Sequence, residues 1–202
     1  MPQAEFEMIA QTLYGLEDVL AKELADLGAQ SILRHNRAVR FTGDQALLYK
    51  TNLCLRTALR VLVPINGFSV RNEHDLYGAI NAMPWEDFME VTDTLAVHCT
   101  LNSDLFDHSQ YLALRTKDAI CDRFREKTGQ RPSVDVDLPT LRIFLHVHGD
   151  RCTVSLDSSG NSLHERGYRE QTNLAPINEV LAAGMVLLSG WDQRSPFVDP
   201  MC

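Results

Sequence analysis

EFEMIAQTLYGLEDVLAKELADLGAQSILRHNRAVRFTG, residues 5–43, is the stretch that decides the fold. It opens on a strand-like run over residues 5–12 with Phe6, Met8 and Ile9 as its apolar members, and Gly15 breaks it. Leu16, Val19, Leu20, Leu24 and Leu27 then recur at helical spacing, and Gly28 sits where a helix stops. Residues 31–35 and 37–42 read as two short strands that meet near Asn36, a residue that tolerates turn geometry. Downstream, Asp44 is placed to cap a second helix carrying Ala46, Leu47, Leu48 and Leu53. Residues 57–65 follow as a strand rich in Val and Leu. The order β-α-β-β-α-β is the ferredoxin-like pattern, a sheet with its helices on one side.

A second unit starts near Asn66-Gly67. Residues 73–82 are helical in pattern and Pro84 ends them; residues 95–101 alternate as a strand. Ser109 is placed to cap a long helix reaching about Lys127, with Tyr111, Leu112, Ala119, Ile120 and Phe124 on its apolar side and Gly129 as its stop. Short strands follow over 133–136, 141–147 and 152–156, the last two turning at Gly149-Asp150. Strands alternating with helices make this an α/β unit. The expected divisions are 1–65, 66–160 and 161–202. In the last, Pro176 fits the first turn of another helix with Ile177, Val180, Leu181, Ala182, Met185 and Leu188, and Ser189-Gly190-Trp191 closes it. Pro196-Phe197-Val198-Asp199 is expected to begin a strand. A strand needs neighbours for its backbone groups, so the parent protein is expected to continue past Cys202.

The 202 residues are 45% hydrophobic, enough for one large domain or two small ones. No apolar run approaches the roughly 20 residues that span a bilayer. Residues 1–7 carry two acids and no base, unlike a secretory signal. Cys54, Cys99, Cys121, Cys152 and Cys202 are odd in number and never paired as C-x-x-C. That argues against a zinc site or a disulfide framework, and for a reducing, cytoplasmic setting. The net charge of -8 is unevenly spread. Residues 65–110 hold eight acids and one base, whereas 115–131 hold six bases and three acids. Nucleic acid responds to such a local patch more than to the total.

The cations of that patch are Arg115, Lys117, Arg123, Arg125, Lys127 and Arg131. Arg and Lys displace counterions condensed on a phosphate backbone. The plain alternative is a solvated helix face in which Asp118, Asp122 and Glu126 pair with them at i,i+4, and the residues alone favour it. Arg166, Tyr168 and Arg169 could stack on bases and hold phosphates, or serve as a structural linker. His146 and His148 share one strand face, but no carboxylate or cysteine stands at a spacing that completes a metal site. Ser162, His164 and Glu165 are sequence neighbours rather than a triad. Trp85 and Trp191 are expected to be buried packing residues.

Several runs, taken in order, resemble the THUMP-containing RNA methyltransferases, especially bacterial enzymes that modify guanine N2 in 23S ribosomal RNA. They are Arg115-Thr116-Lys117-Asp118-Ala119-Ile120, Gly129-Gln130-Arg131-Pro132-Ser133-Val134-Asp135, Leu163-His164-Glu165-Arg166-Gly167-Tyr168-Arg169, Ala175-Pro176-Ile177-Asn178-Glu179 and Leu188-Ser189-Gly190-Trp191. The resemblance covers essentially the whole chain. It implies a ferredoxin-like domain, a THUMP domain that binds structured RNA through the basic helix, and a linker helix to a Rossmann-like methyltransferase domain absent from these residues. Asp199, Pro200 and Cys202 are similar to the start of the family's Asp-Pro-x-Cys-Gly-Ser-Gly-Thr loop for S-adenosylmethionine, whose glycines lie beyond them. The target-base motif is also absent, so the resemblance implies no catalytic residue here and an inactive fragment. The implied partner is 23S ribosomal RNA, with transfer RNA second. A tRNA thiolation enzyme with a similar front end, or a non-catalytic interaction module, stays open.

Overall fold

The computed structural model describes residues 4–167 and 176–200. The chain divides into two compact units, Met1–Val61 with Asn161–Cys202, and Leu62–Gly160.

The first unit carries β1 (Phe6–Gln11), α1 (Glu17–Asp26), β2 (Gln30–His35), β3 (Ala38–Gly43) and α2 (Gln45–Cys54), and leads into β4 (Arg60–Ser69). This is the β-α-β-β-α-β order the sequence predicts. β3 lies between β1 and β2, antiparallel to both. The period of two sends Met8 and Ala10 of β1 and Val39 and Phe41 of β3 to one face, all buried. They meet Leu16, Leu20 and Leu24, buried on or beside α1. Gly28 takes φ 93° past the end of α1, its amide bonding to Ala25 and the Ala29 amide to Leu24, so the last carbonyls are satisfied. Gly43 has a different reason: a Cβ there would sit 2.2 Å from Leu47 Cδ2 and 3.1 Å from its Cβ, so a larger residue would push Leu47 out of its place at the β3–α2 turn. Asp44 caps α2, accepting from the Leu47 amide at 2.8 Å. The turn between β2 and β3 puts its positive φ on Arg37 rather than Asn36.

This unit also holds α5 (Glu179–Leu188). Asn178 caps it through the Val180 and Leu181 amides, so the helix starts three residues after Pro176. Its Gly184 lies against α1, where a Cβ would meet Leu16 Cδ1 at 2.6 Å. Two expectations fail in this stretch. Residues 196–199 form no strand, having no partner strand among the described residues. Trp191 is not buried; its ring lies 5.2 Å from Phe197 and its indole N–H donates to the Ser195 carbonyl.

The second unit carries most of β4, then α3 (Glu73–Ala82), β5 (Thr94–Asn102), α4 (Ser109–Thr128), β6 (Ser133–Val134), β7 (Leu141–His148) and β8 (Arg151–Asp157). Its strand order is β4-β8-β7-β5-β6. β5 runs parallel to β7 and β6, whereas β8 is antiparallel to β7 and β4. The core lies on the helix side of this sheet, where Leu76, Ile80, Leu112, Ile120 and Phe124 meet Leu95, Ile143, Leu145 and Val154. Trp85, fully buried in a short 3-10 turn after Pro84, closes one end and donates its indole N–H to the Ile80 carbonyl. α4 starts one residue earlier than a Ser109 cap requires: His108 occupies the cap position and offers no side-chain bond. Gly129, φ 73°, ends α4 as its sequence requires.

Candidate nucleic-acid interface

Helix α4 brings the six candidate cations onto one element and its trailing loop, and it also brings acids to meet them. Asp118 accepts from Lys117 at 2.6 Å and from Arg131 at 3.2 Å, and Asp122 from Arg125 at 2.5 Å. Glu86, 37 residues before Arg123, takes its guanidinium through three contacts of 3.0–3.1 Å and Lys127 at 2.9 Å. Burial works against the charged Glu86 carboxylate, but the hydrogen bonds from Arg123 and Lys127 outweigh it and hold its pKa at about 2. Arg115 instead stacks on Tyr77, 4.7 Å from the ring centroid, with its Nε buried and without a hydrogen-bond partner. Tyr77 donates its hydroxyl to Asp122 at 2.8 Å, and that bond raises its pKa.

Exposure separates these cations into two groups. The side chains of Arg125, Lys127 and Arg131 are 57%, 52% and 46% exposed; those of Arg123 and Lys117 are 14% and 24%. Arg123 also donates to the Asn81 carbonyl at 2.8 Å, so it is occupied by the end of α3. The three exposed cations form weak surface pairs that a phosphate could exchange into. Glu86 and Tyr77 went unread in the sequence because their partners lie 37 to 45 residues away, beyond any local spacing rule.

Arg166 lies in the first unit and is spoken for. Its guanidinium donates to the carbonyls of Asn52 at 2.9 Å, Leu53 at 3.2 Å, Leu55 at 2.7 Å and Leu163 at 2.9 Å. Ser162, His164 and Glu165 do touch: Ser162 Oγ lies 2.7 Å from His164 Nδ1 and His164 Nε2 lies 3.6 Å from Glu165. The hydroxyl donates to the Leu59 carbonyl, which makes the group a loop anchor. Tyr168, Arg169 and Cys202 lie outside the described residues. Asp199 and Pro200 are exposed.

His146 and His148 stand with parallel rings 6.3 Å apart; burial, then the neighbouring His148, lower the pKa of His146. Among the described residues, no three His, Cys, Asp or Glu side chains gather as a metal site. Burial pushes the Cys99 thiol up to about 11 and that of Cys152 to about 12, far from thiolate chemistry. No helix among the described residues is long and apolar enough to cross a membrane.

Three known domain families match in order along the chain: the RlmL ferredoxin-like domain over residues 7–62, the THUMP domain over 70–157, and the RMKL-like methyltransferase domain over 166–202. The chain thus joins an RlmL ferredoxin-like domain and a THUMP domain to residues of an RMKL-like methyltransferase domain. It is 43% identical over 98% of its length to ribosomal RNA large subunit methyltransferase K/L of Syntrophotalea carbinolica, and spans 28% of that protein. A predicted N6-adenine-specific DNA methylase from Listeria monocytogenes has a similar crystal structure, with TM-score 0.83 and 31% identity over 98% of this chain and 52% of that one. SMU.472, solved in complex with SAH, follows at TM-score 0.82 and 29% identity, over 99% of this chain and 53% of that one. The chain therefore spans 28% to 53% of the length of these relatives.

Proposed function

We propose that this chain is the RNA-holding part of an S-adenosylmethionine-dependent methyltransferase that modifies guanine N2 of 23S ribosomal RNA in the cytoplasm. The observation that carries the proposal is the set of three half-exposed cations, Arg125, Lys127 and Arg131, at the end of α4 inside the THUMP match. Surface ion pairs are worth little, so these side chains can leave their carboxylates for phosphates at small cost. The identity to a ribosomal RNA methyltransferase supports the substrate, and the SAH found with SMU.472 supports the methyl donor. Tyr168 and Arg169 would add to the RNA contact. Asp199, Pro200 and Cys202 would open the donor loop, and methyl transfer itself belongs to the parent protein.

Filter binding of the full chain to a folded 23S ribosomal RNA fragment and to a transfer RNA, between roughly 50 and 200 mM salt, tests this. Affinity should fall steeply with salt and be greater for the ribosomal fragment. Replacing Arg125, Lys127 and Arg131 together by Ala should flatten the salt dependence. No binding at the lower salt would refute an RNA role and leave a protein-interaction module.

A further inference from the structure

The sheet of the second unit has a face that helices α3 and α4 do not cover. The registers of β4, β8, β7 and β5 place its residues in rows. One row is His98, Phe144 and Ser155; the next is Thr100, His146, Thr153 and Gly67; the third is Asn102, His148, Arg151 and Ser69. Phe144 and Ser155 are buried, whereas His146, His148, Asn102, Arg151 and Ser69 are exposed. Within a chain of net charge -8, none of these positions carries a carboxylate. Acids flank these rows: Asp150 in the β7–β8 turn and Asp104 after β5 at one end, and Asp157 of β8 one row beyond Ser155 at the other.

The two imidazoles are held by the neighbouring strand. His146 Nδ1 lies 3.0 Å from Thr100 Oγ1, and His148 Nδ1 3.2 Å from Asn102 Nδ2. Their planes are 8° apart at 6.3 Å, so a small opening, to about twice the ~3.5 Å contact distance between carbon atoms, admits a flat ring. Arg151 reaches across to Gly67, where a Cβ would lie 3.6 Å from its Nη2. Unlike those of Lys117, Arg123 and Arg125 on α4, its charged group has no ion pair or hydrogen bond among the described residues.

We infer that this open sheet face binds single-stranded RNA, its bases stacking on His146 and His148 and a phosphate pairing with Arg151. This rests on the RNA-binding proposal above and adds a second surface to it. Every base has a π-face, so such a platform takes single strands with little sequence preference, whereas a duplex keeps its bases stacked inside. The helix cations serve phosphate of either form. The two surfaces therefore divide the work, α4 on a folded stem and the sheet on an adjoining unpaired segment.

The test uses the full chain, an unstructured RNA of about 10 nucleotides carrying one 2-aminopurine, and a blunt RNA hairpin. The single strand should bind with quenching of the 2-aminopurine. His146→Ala with His148→Ala should abolish the quenching and weaken the single strand roughly tenfold, with hairpin affinity unchanged. Arg151→Ala should weaken the single strand and leave the quenching of bound strand intact. All three side chains are exposed, and an unchanged thermal melt confirms the fold of each variant. Hairpin binding with no single-strand binding, or equal single-strand affinity in the double variant, overturns the sheet proposal alone. Binding of neither RNA overturns the RNA role as well. Altered self-association in the double variant with RNA affinity intact overturns the proposal in favour of a protein contact.

Discussion

Helix α2 ends with the carbonyls of Asn52, Leu53 and Leu55 gathered by Arg166, and helix α3 ends with the carbonyl of Asn81 held by Arg123. Neither helix has a basic residue in its own last turn. The last carbonyls of a helix are orphaned and carry the negative end of its dipole, so a cation belongs there. In both cases it comes from far along the chain, by 111 to 114 residues for Arg166 and 42 for Arg123. The difference lies in what else the guanidinium meets. Arg166 spends its donors on backbone carbonyls, including Leu163 of its own loop, whereas Arg123 shares itself with Glu86, which also holds Lys127. The first arrangement has no substitute if the arginine goes; the second has one.

That difference sets the largest expected effect. Arg166→Ala leaves several helix-end carbonyls without their charged donor and should cost about 3 kcal/mol, since bonds to charged groups contribute about 1.5–3 each and do not add. Amide exchange within α2 should accelerate before that of α3 or α4. Arg166→Lys should recover less than half, because an ammonium cannot span carbonyls placed for a planar fork. Unchanged protection in α2 would remove the comparison. Arg123→Ala should cost less, about 2 kcal/mol, because Lys127 stays on Glu86 and one α3 carbonyl is released rather than three around α2. Chemical denaturation followed by Trp85 fluorescence reads that change in the second unit.

The acid limb of stability sharpens the same contrast. Glu86 falls from the ordinary 4.5 to about 2 in the folded chain, as its arginine and lysine overcome the effect of burial. A carboxylate with a lowered folded pKa stabilises the fold above its unfolded value. Its contribution should therefore be whole above pH 4.5 and lost as pH falls from there toward about 2. Because the side chain is part exposed, about 1 kcal/mol is expected, and Glu86→Gln should remove that much of the pH dependence. The Arg166 clasp has backbone acceptors and should show no such limb. A pH series of unfolding midpoints for the parent chain, Glu86→Gln and Arg166→Ala distinguishes the two.

The folding pattern could be read because its signals are local. Asp44 before an apolar run, Gly28 and Gly129 at helix ends, and the alternation through β1 and β3 each act within a few residues. The cation roles could not be read in that way. Arg166 in Leu163-His164-Glu165-Arg166 reads as an RNA arginine, but its partners lie in a helix end more than a hundred residues earlier. Arg123 looks like Arg125 in sequence and differs because Glu86 and Asn81 reach it across α3. The strand expected at residues 196–199 failed for a related reason: Val198 has strand character but no neighbour among the described residues. The same long range hides the sheet face, since His98, His146 and Arg151 come together only through the strand register.

The smallest stability effect is the most informative about function. Among the described residues Arg125 pairs only with Asp122, three residues back on its own helix, with more than half its side chain exposed. Such a pair is worth under about 0.5 kcal/mol, so Arg125→Ala should leave the unfolding midpoint almost unchanged. It should still weaken binding to a folded RNA and reduce the salt slope by about one unit, because one phosphate contact is lost. Arg123→Ala should do the reverse, lowering stability while RNA affinity, measured where the variant is folded, stays close to that of the parent. If the two variants instead change affinity equally, exposure is not what separates a cation of the fold from a cation for RNA, and α4 acts on RNA as one charged rod. If neither changes affinity while the salt dependence of the parent persists, the phosphates are met elsewhere, and Arg151 on the open sheet is the next cation to replace.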